Sequence, residues 1–553
     1  MIETDALVVG GGPVGLSLAL ELGVQGRSCL VVEQNNRVGV APRAKVTNVR
    51  TRELMRRWGI ADRLAQASPF GIDYPSNVVF ATRLAGRELA RFENGFYCAP
   101  VRDDRFSEHA QWIPQGKVEA VLRERAEEFP AVQTRFSTRL TGWLEDADGV
   151  EAELVDEATG ESFKVRAAYL VGADGARSTV RGKLGITMEG ASGLAHFHNI
   201  MFRSPGLDRK HALGPAVMYW LVNAEVPAVL TPLDTDDLWT FGCPKLANAE
   251  ADPAALIRTA LGLDIEIEIV ARDAWTANQL IAKSYRKGRV FLAGDACHLH
   301  PPFGGHGMNM GIGDAVDLGW KLGAVLDGWA DERLLDSYEI ERRQIHRLVI
   351  DEAVENNAHS SRSLVVDGIE AEGSEGDAAR ATVAGRILAD KRREFHALGV
   401  VLGSRIASSP ALSTEAAHAP ALAARESGAY VPNAAPGSLA PHAWLTEGRA
   451  PGASLYDHFA ADEMTLLVVR EHATPAAQAI AAAAHAAGIP LRVVSPPWAD
   501  LHALYQADLA LIRPDQFVAW RGDSVAEACR ALLRAAGRQP VPAEAGSASF
   551  AGI

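Results

Sequence analysis

Cys297, His298, His300 and His306 fall in one short stretch, "GDACHLHPPFGGHGMNMG" (294–311), and are the right residue types for zinc or copper. The same stretch is rich in glycine and carries the pair Pro301–Pro302, which suits a loop that lets something flat lie against bare backbone. The spacing around His298 and His300 fits no common zinc pattern, and no second ligand cluster presents itself, so no metal is expected.

A second chemistry is written at the start of the chain. Gly10, Gly12 and Gly15 stand at GxGxxG spacing directly after the apolar run Ala6–Val9. From Pro13 to Leu22 the apolar residues sit at helical spacing, and "CLVVE" (29–33) reads as a second buried strand. Together they make a βαβ unit of about thirty residues. Gly10 allows the tight turn, Gly12 lets a pyrophosphate approach the backbone, and Gly15 lets helix and strand pack closely. The phosphate charge then meets free N–H groups at the helix N-terminus. Glu33 ends the second strand, where its carboxylate can accept both hydroxyls of an adenosine ribose. The motif predicts a dinucleotide, and does not by itself separate FAD from NAD.

The elements that must position these residues belong to a globular chain. With 553 residues, 48% hydrophobic and 22% charged, there is room for two or three domains. A net charge of −14 argues against nucleic acid and anionic membrane surfaces as partners. No run approaches ~18 apolar residues, so no membrane span is expected. Five cysteines stand singly without a CxxC, and the opening "MIETDALVVGGG" lacks a secretory pattern, so a cytoplasmic location is the expectation.

Two later segments separate the dinucleotides. "AAYLVGADGARSTVRGKLG" (167–185) is a strand running into Asp174–Ser178 and a helix. Residues 288–326 are a strand, the glycine-rich loop and a long amphipathic helix. An NAD dehydrogenase needs neither. With the GxGxxG and Glu33, these segments follow the order and spacing of the class A flavoprotein aromatic hydroxylases. Over residues 1–360 the chain resembles these single-component FAD monooxygenases, which are related to p-hydroxybenzoate and phenol hydroxylases.

The resemblance implies an α/β fold. A Rossmann-like FAD-binding domain would comprise 1–75, 106–190 and 281–360, with a β-rich substrate domain from 76–105 and 191–280. It implies that Gly10, Gly12, Pro13, Gly15 and Glu33 hold the ADP half, and that Arg43 lies near the flavin. Gln115 would contact the ribityl chain, and Asp174 and Arg177 would belong to a segment serving both FAD and NAD(P)H. Asp295 would accept from a ribityl hydroxyl, while the backbone of Gly307, Met308 and Asn309 faces the pyrimidine edge. Helix N–H groups there would stabilise negative charge on the reduced ring. Pro301 and Pro302 would stiffen a cavity wall that excludes water, and His306 would cap the loop or stand at the surface. The implied reaction uses NADPH or NADH and O₂, and passes through a flavin C4a-hydroperoxide that attacks an electron-rich, phenolic ring. No covalent catalytic side chain is nominated. The single GxGxxG fits a nicotinamide cofactor that binds transiently.

Aromatic and β-branched runs such as "AVMYWLVNAEVPAVL" and "DLWTFGCPKL" read as strands. Tyr219, Trp220, Trp239 and Phe241 are candidates to face a substrate, although alternation puts only about half of them on one face. His196, His198 and His211 read as surface or loop residues. The charged stretch 331–358 reads as an amphipathic helix whose acid–base spacing describes a solvated face. Residues 361–440 read as a helical segment and linker, the Ala-, Pro- and Ser-rich part being 405–440. Residues 441–553 resemble a thioredoxin-like domain without CxxC, with a structural or homodimer-contact role. Baeyer–Villiger, epoxidation or oxidase chemistry on the same fold, and a non-catalytic flavin-binding adaptor, are the alternatives.

Overall fold

In a computed structural model, the described residues are 1–36, 44–245, 252–358, 361–414, 428–445, 453–496 and 501–538. Apolar runs at the centre of the first sheet, Ala6–Val9, Cys29–Val32, Tyr169–Val171 and Val290–Leu292, are buried because both of its faces are covered. Ile2–Val9 lies between Cys29–Val32 and Ser162–Gly172, parallel to both. Val132–Arg135 extends the sheet beyond Cys29–Val32, and Val290–Leu292 extends it beyond Ser162–Gly172, also in parallel. The helices Pro13–Val24, Gln115–Glu127 and Gly307–Leu326 supply the covering layers, and Leu16, Leu20, Leu122 and Leu318 are buried among them.

The second sheet is mixed, with eight strands. Its longest pair is Met188–Arg203 against Glu268–Ala282, antiparallel. Leu238–Pro244, Ala228–Pro232, Met218–Leu221, Val78–Ala81 and Glu88–Phe92 follow on one side, and His298–Leu299 pairs on the other. The last pairing stitches the glycine-rich loop onto this sheet. One face of the sheet packs on the helix Pro253–Leu261, and the other meets the loop and the helices between 361 and 402.

A third, four-stranded sheet lies in the C-terminal part. Met464–Val468 is parallel to Leu491–Val494 and antiparallel to Leu509–Ile512, which pairs in turn with Val518–Gly522. Thr474–Ala486 and Val525–Ala535 are its helices.

Two expectations from composition meet a different structure. Where described, the Ala- and Pro-rich stretch is packed rather than spanning: Ala434, Ala435 and Ala440 are buried. Gly437 N–H donates to Val518, Val518 N–H to Ser438, and Ala440 N–H to Gln516, each on the backbone oxygen. Small side chains let this backbone lie directly on the strand. The charged helix, Asp336–Ala358, is not a solvated face either, because it buries Glu341, Arg342, His346 and Glu352. Their partners come from other elements, which a spacing rule within one helix does not see.

Candidate active site

The three glycine- and aspartate-bearing turns converge at one edge of the first sheet. Val9 pairs with Gly172, and Gly172 with Leu292, so the turns beginning at Gly10, Ala173 and Ala293 all leave the carboxyl ends of parallel strands. In open α/β sheets ligands lie in the crevice outside those ends.

Gly10 has φ +117°, and a Cβ there would stand 2.3 Å from the carbonyl oxygen of Ala173. A Cβ at Gly15 would stand 2.0 Å from the carbonyl oxygen of Gly10. Gly12 differs, since a Cβ there would meet no heavy atom within 4 Å. Its surroundings are a cradle that the fold leaves open in front of the helix Pro13–Val24. Glu33 is fixed beside it: Gly11 N–H donates to Oε2 (3.0 Å), and the backbone and side-chain N–H groups of Asn35 donate to Oε1 (2.9 and 2.6 Å). These groups suit an ADP moiety: Gly12 and the helix N-terminus would hold its phosphates and the Glu33 carboxylate would accept from its ribose. Gly12→Val is therefore expected to leave the FAD-free protein folded with an unchanged unfolding temperature but to weaken FAD retention at least tenfold, so that added FAD raises its melting temperature less than that of wild type. Flavin absorbance per chain and a melting curve would show it.

Asp174 accepts from Ser178 Oγ (2.5 Å) and from Val180 N–H (3.0 Å), so its carboxylate braces the turn ahead of the helix Thr179–Leu184. Arg177 is exposed. Arg181, which sequence reasoning passed over, donates to the carbonyl oxygens of Ala176 and Ala296 (both 2.9 Å) and ties this turn to the turn of Asp295. Gln115 opens the helix Gln115–Glu127, accepting from Ala44 N–H (3.1 Å) and donating to Glu119 (2.7 Å). Arg43 lies outside the described residues.

In the loop, Pro301 is buried and Pro302 exposed. The helix Gly307–Leu326 begins directly behind, with Gly307 and Met308 partly accessible. The side chain of Asn309 locks this start: Oδ1 accepts from Asn48 N–H (2.9 Å), and Nδ2 donates to the carbonyl oxygens of Val46 (3.1 Å) and Gly305 (2.6 Å). His306 is buried rather than at the surface. Burial holds its imidazole down to about 4 and that of His300 to about 3, so both are neutral at pH 7. Neutral rings leave the helix N-terminus as the positive end that an anionic ring edge would meet.

The carboxylate beside Cys297 and His298 is that of Asp314. Ligand atoms of Cys297, His298 and Asp314 lie within 4.8 Å of one another. Yet the carboxylate of Asp314 is engaged by Gly294 N–H (3.0 Å), His298 Nε2 (2.9 Å), His346 Nε2 (2.7 Å) and Arg342 Nε (2.7 Å). Tyr285 Oη pairs with the other nitrogen of His346 at 2.8 Å. This is a hydrogen-bond hub under the Asp295 turn. Two aspartates, Asp314 and Asp317, inside the mostly apolar segment "GIGDAVDLGW" are the signal in the sequence that buried carboxylates need partners here.

The four aromatic candidates divide by strand parity. Tyr219, Trp239 and Phe241 point away from the loop, into the core with Ile257 and Leu261, and are corrected to packing residues. Trp220 points toward the loop, stacked on Phe80 (5.3 Å, 21°) and 6.1 Å from Phe303. Lys391, buried, lies 4.2 Å over the Trp220 ring and pairs with Glu394.

Residues 3–353 match a family described as FAD binding domain, and residues 433–540 match one described as aromatic-ring hydroxylase, C-terminal. The chain belongs to the FAD-dependent aromatic-ring hydroxylases. It is 35% identical to tetracenomycin B2 monooxygenase-dioxygenase of Streptomyces olivaceus, covering 96% of this chain and 97% of that one. It is 31% identical to phenol 2-monooxygenase of a Pseudomonas strain, covering 95% and 91%. Among solved structures, the rebeccamycin biosynthetic enzyme RebC with reduced flavin superposes with a TM-score of 0.88 at 35% identity, covering 97% of this chain and 99% of RebC. This hydroxylase is thus a flavoenzyme whose cofactor is FAD, with NAD(P)H and O₂ as the co-substrates usual for the family. No helix among the described residues is long and apolar enough to cross a membrane.

Proposed function

We propose that this hydroxylase adds one oxygen atom to a phenolic ring held between the loop 300–306 and the loop-facing side of the mixed sheet. The observation that carries this reading is the meeting of Trp220 and Phe303 in front of the Gly307–Leu326 helix start. An aromatic wall, backed by the buried Lys391–Glu394 pair, stands there beside a helix N-terminus. Bound FAD supplies hydride acceptance and oxygen activation. Gly10, Gly12, Pro13, Gly15 and Glu33 hold its ADP half, Gln115, Asp174, Arg177 and Asp295 flank its middle, and the backbone of Gly307, Met308 and Asn309 meets its ring. Buried Pro301 and the aromatic wall keep water from the reacting atoms. The helix N-terminus favours negative charge on whatever lies against it.

The C-terminal unit is proposed to be thioredoxin-like. Its parallel first pair, two further antiparallel strands and final helix support this reading, and Cys529 stands alone in that helix, without a dithiol partner. Its assigned role is structural, in a cytoplasmic enzyme.

The holoenzyme should consume NADPH or NADH faster when a suitable phenol is added. With ¹⁸O₂, the product should carry one labelled oxygen on an intact ring, read by mass spectrometry. If flavin is bound and no phenol gains oxygen, the phenol reading fails and ketones or alkenes become the substrates to try.

A further inference from the structure

The loop-facing side of the mixed sheet has a feature that a single ring would not use. Across the strands, register sets Asp273, Asn199, Gly242, Val229, Trp220 and Phe80 in one row. Gly242 is the gap in that row, because a Cβ there would have only the carbonyl oxygen of Val229, at 3.9 Å, within reach. A glycine inside a strand weakens the sheet and marks a place where something approaches the backbone closely. Two residues along the strands, on the same side, Phe197 and Trp275 sit opposite each other, their rings stacked at 4.4 Å and 10°. Both are partly exposed, as is Phe303, whose ring lies 6.4 Å from Phe197 and 6.1 Å from Trp220. The result is an aromatic ramp. It starts at the half-open Phe197–Trp275 pair, passes Phe303 and ends at buried Trp220, with the Gly242 hollow and half-buried Asn199 alongside. Contiguous aromatic surface left open to water beside a hollow marks a ligand site.

We propose that the ramp selects a planar fused-ring phenol of at least two rings, with the outer ring on the Phe197–Trp275 pair and the reacting ring by Phe303. The ramp runs on from Phe197 to Phe303 (6.4 Å) and from Phe303 to Trp220 (6.1 Å), so it is longer than one ring and a fused-ring phenol can lie over more of it than a monocyclic one. Asn199 provides one amide able to meet a ring substituent, and Gly242 leaves space for a flat edge over the sheet. The proposal rests on the hydroxylase reading above and adds to it the class of substrate.

The test uses FAD-loaded enzyme with phenol, 1-naphthol and 9-phenanthrol. Binding is read from the perturbation of the flavin spectrum, and turnover from oxygenated product. Wild-type enzyme should bind the two fused-ring phenols at least tenfold more tightly than phenol. Phe197→Ala and Trp275→Ala should each cut the fused-to-single-ring ratio of kcat/KM about tenfold, by raising KM and Kd for the fused-ring phenols. Phe197→Leu is the milder companion should the alanine variant fold poorly, and a twofold to fivefold drop in the ratio is expected from it. Equal losses for both classes, no loss for either, or a wild-type preference for phenol would overturn the proposal while leaving the hydroxylase reading in place. If none of the three gains oxygen, the phenol reading fails and the proposal falls with it.

Discussion

Asp314→Ala is expected to cost about 3–5 kcal/mol of stability and to release FAD. The carboxylate is fully buried and receives N–H groups from Gly294, His298, His346 and Arg342. Burial alone would favour its neutral form, but the neighbouring His346, Arg342 and His298 hold it well below the usual carboxylate range. Burial also holds His346 down to about 3, so at pH 7 that ring gives a donated N–H and Arg342 gives the counter-charge. Alanine would strand the Arg342 guanidinium in the core and free the Gly294 turn next to Asp295. A depressed carboxyl stabilises the fold above its unfolded pKa, and that stability is lost only as pH falls through the folded value. Between pH 7 and 5 this group should therefore withdraw almost nothing. Urea unfolding and flavin fluorescence would read both effects. A variant within 1 kcal/mol of wild type that keeps its FAD would refute the role given to the hub.

The second large effect is at Arg513, from the turn between the last two strands of the C-terminal sheet. Its guanidinium is fully buried and clasps Glu341 with two hydrogen bonds (2.7 and 2.8 Å), while Nε donates to Asp515 at 3.0 Å. Lys321 bridges Asp317 (2.7 Å) and Glu341 (2.8 Å) in the same cluster. Arg513→Met would leave three buried carboxylates around one lysine, at a cost of about 3–5 kcal/mol. The C-terminal unit should undock, seen as proteolytic separation of residues 453–538 from 1–358 under conditions where wild type resists. The cluster also has a pH signature. Burial raises Asp317 to about 7 despite Lys321. A carboxyl raised in the folded state stabilises when protonated, so its contribution is full below the unfolded pKa and is lost as pH rises through 7. Wild-type stability should thus decline from pH 6 to pH 8 by an amount that Asp317→Asn abolishes. An unchanged slope in that variant would show that Asp317 does not set it.

The sequence by itself determined the cofactor turns. Gly10, Gly12 and Gly15 answer backbone demands that act one residue at a time, whether a left-handed φ, a missing Cβ or open space, and such demands survive in any reading of the letters. The order of the three turns followed from the same local signals, and a right-handed parallel sheet then brings them to one edge. Only the tertiary structure decided the rest. Strand alternation says that Tyr219 and Trp220 oppose each other, but which of them meets the loop depends on the helix Pro253–Leu261 taking one side of the sheet and the 361–402 segment the other. His298, Asp314, Arg342 and His346 are scattered over 49 positions, and although Asp314 stands out in its helix, its partners are named only when Gly307–Leu326 packs beside Asp336–Ala358. The Ala-rich stretch read as a spacer because composition records what a side chain lacks. Contact with the Val518 strand turned that same lack into close packing. Local conformation is set by bonded neighbours, whereas facing and charge partnership are set by residues far away in the chain, and that is where the sequence stops deciding.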